Sequence, residues 1–135
     1  MMTWLMYINE TSEDLIMAYK DSILRSVSDY CMVPQEADVY DTDLLDKINA
    51  AFFVLFQLGC SKRPYTIEDD SATWSDFTDN PYLSPIVPEF IKKKVKLEFD
   101  PPANSFLVTQ LKEEIQELIS RISYTVDPGW EELEE

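Results

Sequence analysis

Residues 104–124, NSFLVTQLKEEIQELISRISY, decide the fold class, because their apolar side chains recur at intervals of three and four positions. Asn104 or Ser105 can cap the helix that this spacing predicts. Charged and polar side chains occupy the opposite face, so the helix should bury a single stripe against a core. That apolar stripe consists of Leu107, Val108, Leu111, Ile115, Leu118, Ile119 and Ile122.

The same helical period predicts a third helix immediately upstream of this fourth one. It begins at Pro88, where a missing amide costs nothing, and ends before Pro101. A second helix begins at a cap formed by Asp41 or Thr42 and ends at Gly59. Both segments have the length of ordinary helices in globular proteins.

The second predicted helix is apolar nearly all round between residues 50 and 58. Such a segment must be enclosed on most sides, either as the central helix of the core or by a neighbouring subunit. A first helix begins at a cap formed by Thr11 or Ser12 and ends before Pro34. The prediction is therefore a mostly α protein with four helices.

A chain of 135 residues is sufficient for one domain. We assign residues 1–12 to an N-terminal segment, residues 13–125 to a small four-helix domain, and residues 126–135 to an extended acidic C-terminal tail. Residues 60–84 form a loop between the second and third helices that is much longer than a usual connection. Long loops of this kind usually serve a function.

The long loop mixes aromatic side chains with aspartates, which is typical of a surface that buries aromatic anchors in a partner. Alternation around residues 65–67 leaves a short β-hairpin possible there. For two of the aromatic residues, at positions 74 and 77, an equal alternative is a flap folded over the chain's own core. The predicted partner-interface residues are Tyr65, Ile67, Trp74, Phe77 and Tyr82 of the loop, with Trp130 of the tail.

Charge and composition exclude several classes of protein. With 26 acidic and 11 basic residues the net charge is −15, which argues against a protein that grips nucleic-acid phosphates. No apolar run reaches the length of a membrane span. Residues 1–8 lack the features of a signal peptide, so we expect assembly in a cytoplasm, where Cys31 and Cys60 would remain buried free thiols.

Catalytic chemistry finds little support in the sequence. The chain has no histidine and only two glycines, which removes most nucleophile systems, most transition-metal sites and all glycine-rich phosphate loops. The acidic cluster at residues 38–46 lacks the pattern of a calcium loop and coincides with a helix N-terminus, where carboxylates complement the helix dipole. We therefore expect no enzyme activity, cofactor or metal.

Basic residues are concentrated between positions 92 and 96, in a chain that is otherwise acidic. They form either a solvated helix face or a stripe that meets the acidic patch of a neighbouring copy in a head-to-tail contact. The predicted contacts between subunits join Lys92, Lys93 and Lys96 to Asp38, Asp41 and Asp43.

One segment carries a resemblance to a known family. The string IKKKVKLEFDPP at residues 91–102, followed by Asn104 and Ser105, resembles the head-tail connector family of tailed bacteriophages, also called neck adaptor or head-completion proteins. The resemblance extends over roughly residues 13–124. It includes DSILRSV at 21–27, INAAFFVLFQLG at 48–59, IEDDS at 67–71 and WSDF at 74–77.

The resemblance implies a structural protein of the virion neck. Members form a homo-oligomeric ring, twelve-fold in the virion, that docks on the portal protein and offers its other face to a stopper or tail-completion protein. The duplex would pass through the lumen without specific binding, and no membrane is involved. The main alternative is an acidic mimic of DNA that inhibits a nucleic-acid-binding enzyme, while a carboxylate metal enzyme is the least favoured.

Overall fold

The structure, a computed structural model, describes residues 21–34 and 38–126, and it is mostly helical as predicted. Across these residues no strand forms, and an isolated antiparallel bridge joins Ser22 to Thr73. The helices are α1 (Ile23–Tyr30), α2 (Asp41–Gln57), α3 (Trp74–Phe77), α4 (Val87–Phe99) and α5 (Ser105–Thr125), and a 3₁₀ turn (Asp38–Tyr40) precedes α2.

The first helix was predicted to run without a break through Ser22, and this prediction is wrong. The backbone there is extended, and the Ser22 hydroxyl accepts a hydrogen bond from the Arg25 N–H as the N-cap of α1. The same hydroxyl donates to the carbonyl of Asp70 at 2.8 Å, so a contact with the long loop interrupts the helical pattern. The predicted start of this helix, at Thr11 or Ser12, lies outside the described residues.

The other three predicted helices are confirmed, but the predicted cap of the second is wrong, because α2 begins at Asp41 itself and its N-cap, Tyr40, makes no side-chain hydrogen bond. Helix α2 ends before Gly59, whose φ of 95° is the left-handed conformation that ends many helices. Helix α4 carries Pro88 in its first turn and ends at Phe99. Helix α5 is capped by Asn104, whose side chain accepts a hydrogen bond from the Phe106 N–H at 2.7 Å.

The β-hairpin left possible in the long loop is absent, because no residue between 60 and 84 lies in a strand. The short helix α3 forms there instead. The Asp76 carboxylate accepts a hydrogen bond from the Thr73 N–H at 2.8 Å, which fixes the first turn of α3.

The core lies between α2 and α4, with α1 packed against both and α5 packed chiefly against α4. Helix α4 is the central helix, because it alone among the described helices packs against α1, α2 and α5. Helix α2 is not enclosed on most sides as expected: Phe52 is fully buried, whereas Phe53 on its opposite face is 47% exposed. From α5 only four side chains are buried, all on the predicted stripe: Leu111, Ile115, Leu118 and Ile122.

Candidate functional site

The aromatic residues of the long loop surround Phe52 of α2. The ring of Phe52 lies 5.0 Å from Tyr65, 4.9 Å from Phe77 and 6.4 Å from Trp74, measured between centroids. Tyr65 and Phe77 also contact each other edge to face at 5.2 Å. The indole N–H of Trp74 donates to the Ser26 hydroxyl at 3.0 Å, so it already has a partner within the chain.

Ile67 is anchored to α2 through its backbone. The Asn49 side chain donates to the Ile67 carbonyl at 3.0 Å and accepts from the Ile67 N–H at 2.8 Å. The Ile67 side chain is only 4% exposed and belongs to the core. A partner would therefore reach this residue only if the loop left its place on α2.

These contacts favour the flap alternative for Trp74 and Phe77, in which the loop covers the chain's own core. Tyr65 follows the same arrangement, and its burial raises the pKa of its phenol, helped by nearby Asp76. Contact of these residues with a partner stays a prediction. Tyr82 differs, because its side chain is 68% exposed. Trp130, the remaining predicted anchor, lies outside the described residues.

Two of the acidic residues predicted to contact a neighbouring copy already have partners within the chain. Arg25 forms a bidentate pair with Asp41, at 2.8 and 3.4 Å, and reaches Asp70 at 3.3 Å. Burial lowers the pKa of Arg25, but the hydrogen bonds to these two carboxylates outweigh it and the pKa is raised. Asp43 pairs with Lys47 at 2.7 Å, one turn along α2.

The basic residues of α4 are largely neutralised by the chain's own acids. Lys93 lies 3.4 Å from Glu114 of α5 and 3.6 Å from Glu89, and its ammonium lies 5.9 Å from the centre of the Tyr30 ring. Lys96 pairs with Asp100 at 2.9 Å. These pairs show how the stripe is satisfied in the single chain, while contact with a neighbouring copy stays a prediction.

Lys92 and Asp38 differ from the other charged residues of the two predicted patches. Neither forms an ion pair with any of the residues in the ranges 21–34 and 38–126. Asp38 is exposed and Lys92 is half-buried. They are therefore the members of the two patches that can accept a new partner without breaking an existing pair.

Helix α5 exposes aromatic residues that the sequence reasoning did not select. Phe106 is 71% exposed in its first turn and Tyr124 is 88% exposed in its last. The two are eighteen positions apart, which is five helical turns and about 27 Å, so they lie on the same side of the helix. That side is opposite the buried stripe. The sequence signal for Phe106 and Tyr124 is that both are aromatic residues at positions outside the stripe.

The two cysteines offer little reactivity. Burial raises the pKa of the Cys31 thiol and of the Cys60 thiol to about 11 each. Both are free thiols, but Cys31 alone is buried as predicted, and Cys60 is only partly buried. A thiol with so high a pKa is a poor nucleophile at neutral pH. Within the described part of the chain, no group of three or more Asp, Glu or Cys side chains is placed to hold a metal ion.

A scan against protein-family models matches residues 23–129, most of the chain, to the family described as phage connector protein. The chain belongs to the phage connector family. The resemblance inferred from residues 91–102 and the upstream segments is thereby confirmed. Neither the curated proteins nor the solved structures include a significant match to the chain.

As a phage connector the protein is a bacteriophage structural component, and its family is a structural one rather than an enzyme family. Membership implies a place in the virion and contacts with the portal and other virion proteins. Among the helices that the structure describes, none has the length and apolar character to cross a bilayer. The side of α5 that exposes Phe106 and Tyr124 is the first candidate for contacts with other virion proteins.

Proposed function

We propose that this phage connector assembles into a homo-oligomeric ring at the neck of the virion. The ring docks on the portal protein, extends the DNA channel and provides the attachment site for a stopper or tail-completion protein. A closed ring requires that each copy present two different surfaces to its two neighbours. The portal and the stopper require further surfaces at the two ends of the ring.

The observation that carries this proposal is the one-sided packing of α5. Only one stripe of this helix is buried in the chain, and Phe106 and Tyr124 stand exposed on the opposite side. Large aromatic residues that are exposed on a single chain commonly anchor protein interfaces, because burying each one removes a large apolar area from water. In a ring, this side of α5 faces a neighbouring copy or the portal.

The charge of the chain suits a channel through which DNA slides. The net charge is −15, and Lys93, Lys94 and Lys96 are each paired with a carboxylate of the same chain. A wall with few free cations releases few counterions from the duplex and therefore binds it weakly. Passage without specific binding follows from this electrostatic property.

The head-to-tail contact between copies is best assigned to Lys92 and Asp38. The single variants Lys92→Glu and Asp38→Lys should each reduce ring formation, because each places like charges at the contact. The double variant restores opposite charges and should recover the ring. Lys112→Glu, which makes the same charge change on exposed α5, is the control. If both single variants assemble as the unmodified chain does, this pairing is wrong.

Cryo-electron microscopy of the chain mixed with its portal protein tests the proposal as a whole. We expect ring density seated on the portal. Phe106→Asp should abolish that density while circular dichroism reports an unchanged helix content, because the side chain is exposed. Gln116→Asp adds the same charge at an exposed position of α5 and should still assemble. If the unmodified chain is absent from the portal, the connector ring is overturned and the acidic DNA mimic becomes the better hypothesis.

A further inference from the structure

A groove of about 430 Å³ lies between the start of α4 and the end of α5. Tyr82 and Tyr124 flank it, and their side chains are 68% and 88% exposed. Ile86 forms a half-buried apolar part of its lining. Its full lining is Tyr82, Ile86, Ser120, Arg121, Tyr124 and Thr125. Two exposed phenol rings beside an apolar residue form a site into which a further aromatic side chain fits.

Among the residues that the structure describes, Arg121 is the only charged one that lines this groove. It makes no ion pair with the residues of the two described ranges, whereas Arg25, Lys47 and Lys93 all do. An unpaired cation on the wall of an apolar groove favours an occupant that brings negative charge next to an apolar or aromatic group. In a chain with 26 acidic residues, such an occupant need not come from another molecule.

The chain itself continues from this groove. Thr125 lines it, and the next residue, Val126, is held in place by its N–H bond to the Ile122 carbonyl at 3.0 Å and by its side chain beside Gly59. Trp130 is the fourth residue after Val126, so its backbone lies within about 14 Å of that fixed point.

The sequence between Val126 and Trp130 favours a reversal of direction. Asp127, Pro128 and Gly129 are residue types that β-turns prefer at their first three positions, with Trp130 then at the fourth. A turn of this kind returns the chain toward the last turn of α5. Two acidic residues, Glu131 and Glu132, follow the tryptophan directly.

We propose that Trp130 occupies the groove of its own chain in the unassembled protein. The indole lies between Tyr82 and Tyr124, and the carboxylates that follow it face Arg121. The short connection from Val126 gives Trp130 an effective concentration in the millimolar range or above, so even a modest affinity keeps the groove filled. The occupant is the segment 127–135 of the same chain, and this inference does not depend on the ring.

Filling the groove has a consequence for assembly. A partner that binds Tyr82, or that takes Trp130 as an anchor, must first displace the indole from the groove. The C-terminal segment therefore competes with partners for the same surface. In copies that have not bound a partner, Trp130 covers Tyr82 and Tyr124. This covering reduces unspecific association through an apolar surface.

Fluorine NMR of the full chain labelled with 5-fluorotryptophan tests this inference. The three resonances are assigned by Trp4→Phe and Trp130→Phe, which leaves Trp74 as the third. We expect Tyr124→Ala to move the Trp130 resonance most of the way to its position in the denatured chain. Phe106→Ala removes another exposed aromatic residue, from the other end of α5, and it should leave that resonance in place.

The charge contact is tested in the same spectra. Arg121→Glu should displace Trp130 through repulsion from Glu131 and Glu132, and Arg121→Lys should retain most of the bound signal. Lys112→Glu, with the same charge change elsewhere on α5, is the matched control. Folding is checked through the Trp74 resonance, which should not move in any of these variants because Trp74 packs against Phe52.

Three outcomes would overturn the inference. If the Trp130 resonance of the unmodified chain already has its denatured position, the groove does not hold it. If Tyr124→Ala moves the Trp4 resonance instead, the N-terminal segment is the occupant. If the Trp130 resonance depends on protein concentration between micromolar and millimolar, the groove receives the tryptophan of a second copy.

Discussion

The long loop and helix α5 differ in a way that their secondary structure does not suggest. Residues 60–84 contain only the four-residue helix α3, yet they bury Ile67 and Leu83 and place three aromatic rings around Phe52. Helix α5 is regular over 21 residues, yet only one stripe of it is covered. Regular backbone and burial are separate properties: α5 exposes Phe106, Leu107 and Tyr124, whereas Tyr82 is the one large apolar side chain that residues 60–84 expose.

The largest expected effect is the loss of the residue on which the loop packs. Phe52→Ala should destabilise the fold by about 3–5 kcal/mol, because it removes a fully buried ring and leaves a cavity beneath the loop. The free energy of unfolding in urea measures this effect. Phe53→Ala changes the neighbouring residue on the exposed face and should cost less than about 1 kcal/mol. Equal losses for the two variants would show that the loop does not rest on Phe52.

A smaller effect is expected where the loop is tied to α2 by hydrogen bonds. Asn49→Ala should cost about 2 kcal/mol, because the N–H and the carbonyl of buried Ile67 lose their partners. Hydrogen exchange should then accelerate at the amide of Ile67, and urea unfolding gives the energy. Gln57→Ala at an exposed position of the same helix is the control. An unchanged exchange rate at Ile67 would contradict the assigned role of Asn49.

The next prediction concerns α5, the regular element that was compared with the loop, and the residue that caps it. Asn104→Ala should cost about 1 kcal/mol, because the Phe106 N–H loses its acceptor at the start of a helix that has little tertiary support. Thermal unfolding measures the loss. Asn104→Asp keeps an acceptor at the cap and should retain most of the stability. If Asn104→Ala is as stable as the unmodified chain, packing on α4 alone defines where α5 begins.

The smallest effect concerns pH at the first residue of the loop. Burial raises the pKa of Cys60 to about 11, from an ordinary value near 9. The folded chain therefore favours the neutral thiol, and the stability this supplies is complete below pH 9 and declines as the pH rises toward 11. Between pH 8 and pH 10 the unmodified chain should lose up to about 1 kcal/mol more than Cys60→Ala. Parallel pH profiles would mean that the start of the loop is open to water.

The helices were accessible from the sequence because their signals are local. The cap at Asn104, the proline in the first turn of α4 and the stop at Gly59 depend on residues a few positions apart, and the structure reproduces each of them. The break at Ser22 was not accessible in this way. It arises from a hydrogen bond to Asp70, 48 positions away, which no local pattern encodes.

The candidate site was less predictable for the same reason. Aromatic residues among aspartates indicate either an interface or a flap, and only the position of Phe52 distinguishes the two for Trp74 and Phe77. In the sequence, Asp41 belongs to an acidic patch that could be free to bind a partner. In the structure, Arg25 of another helix pairs with it. Phe106 and Tyr124 lie off the apolar stripe in the sequence, so their position alone indicates that they are exposed.

The contacts of α1 with the long loop bear on the order in which the chain folds. Ser22 bonds to Asp70, Ser26 to Trp74 and Arg25 to Asp70, over separations of 48, 48 and 45 positions. Helix α1 has only eight residues, too few to persist alone in water. During synthesis it leaves the ribosome well before its partners in the loop, so these contacts form only after residues 70–74 have been made. The contacts of α1 with the loop are thus expected to form later than its pair with Asp41, which spans only 16 positions, and their long separations should slow folding.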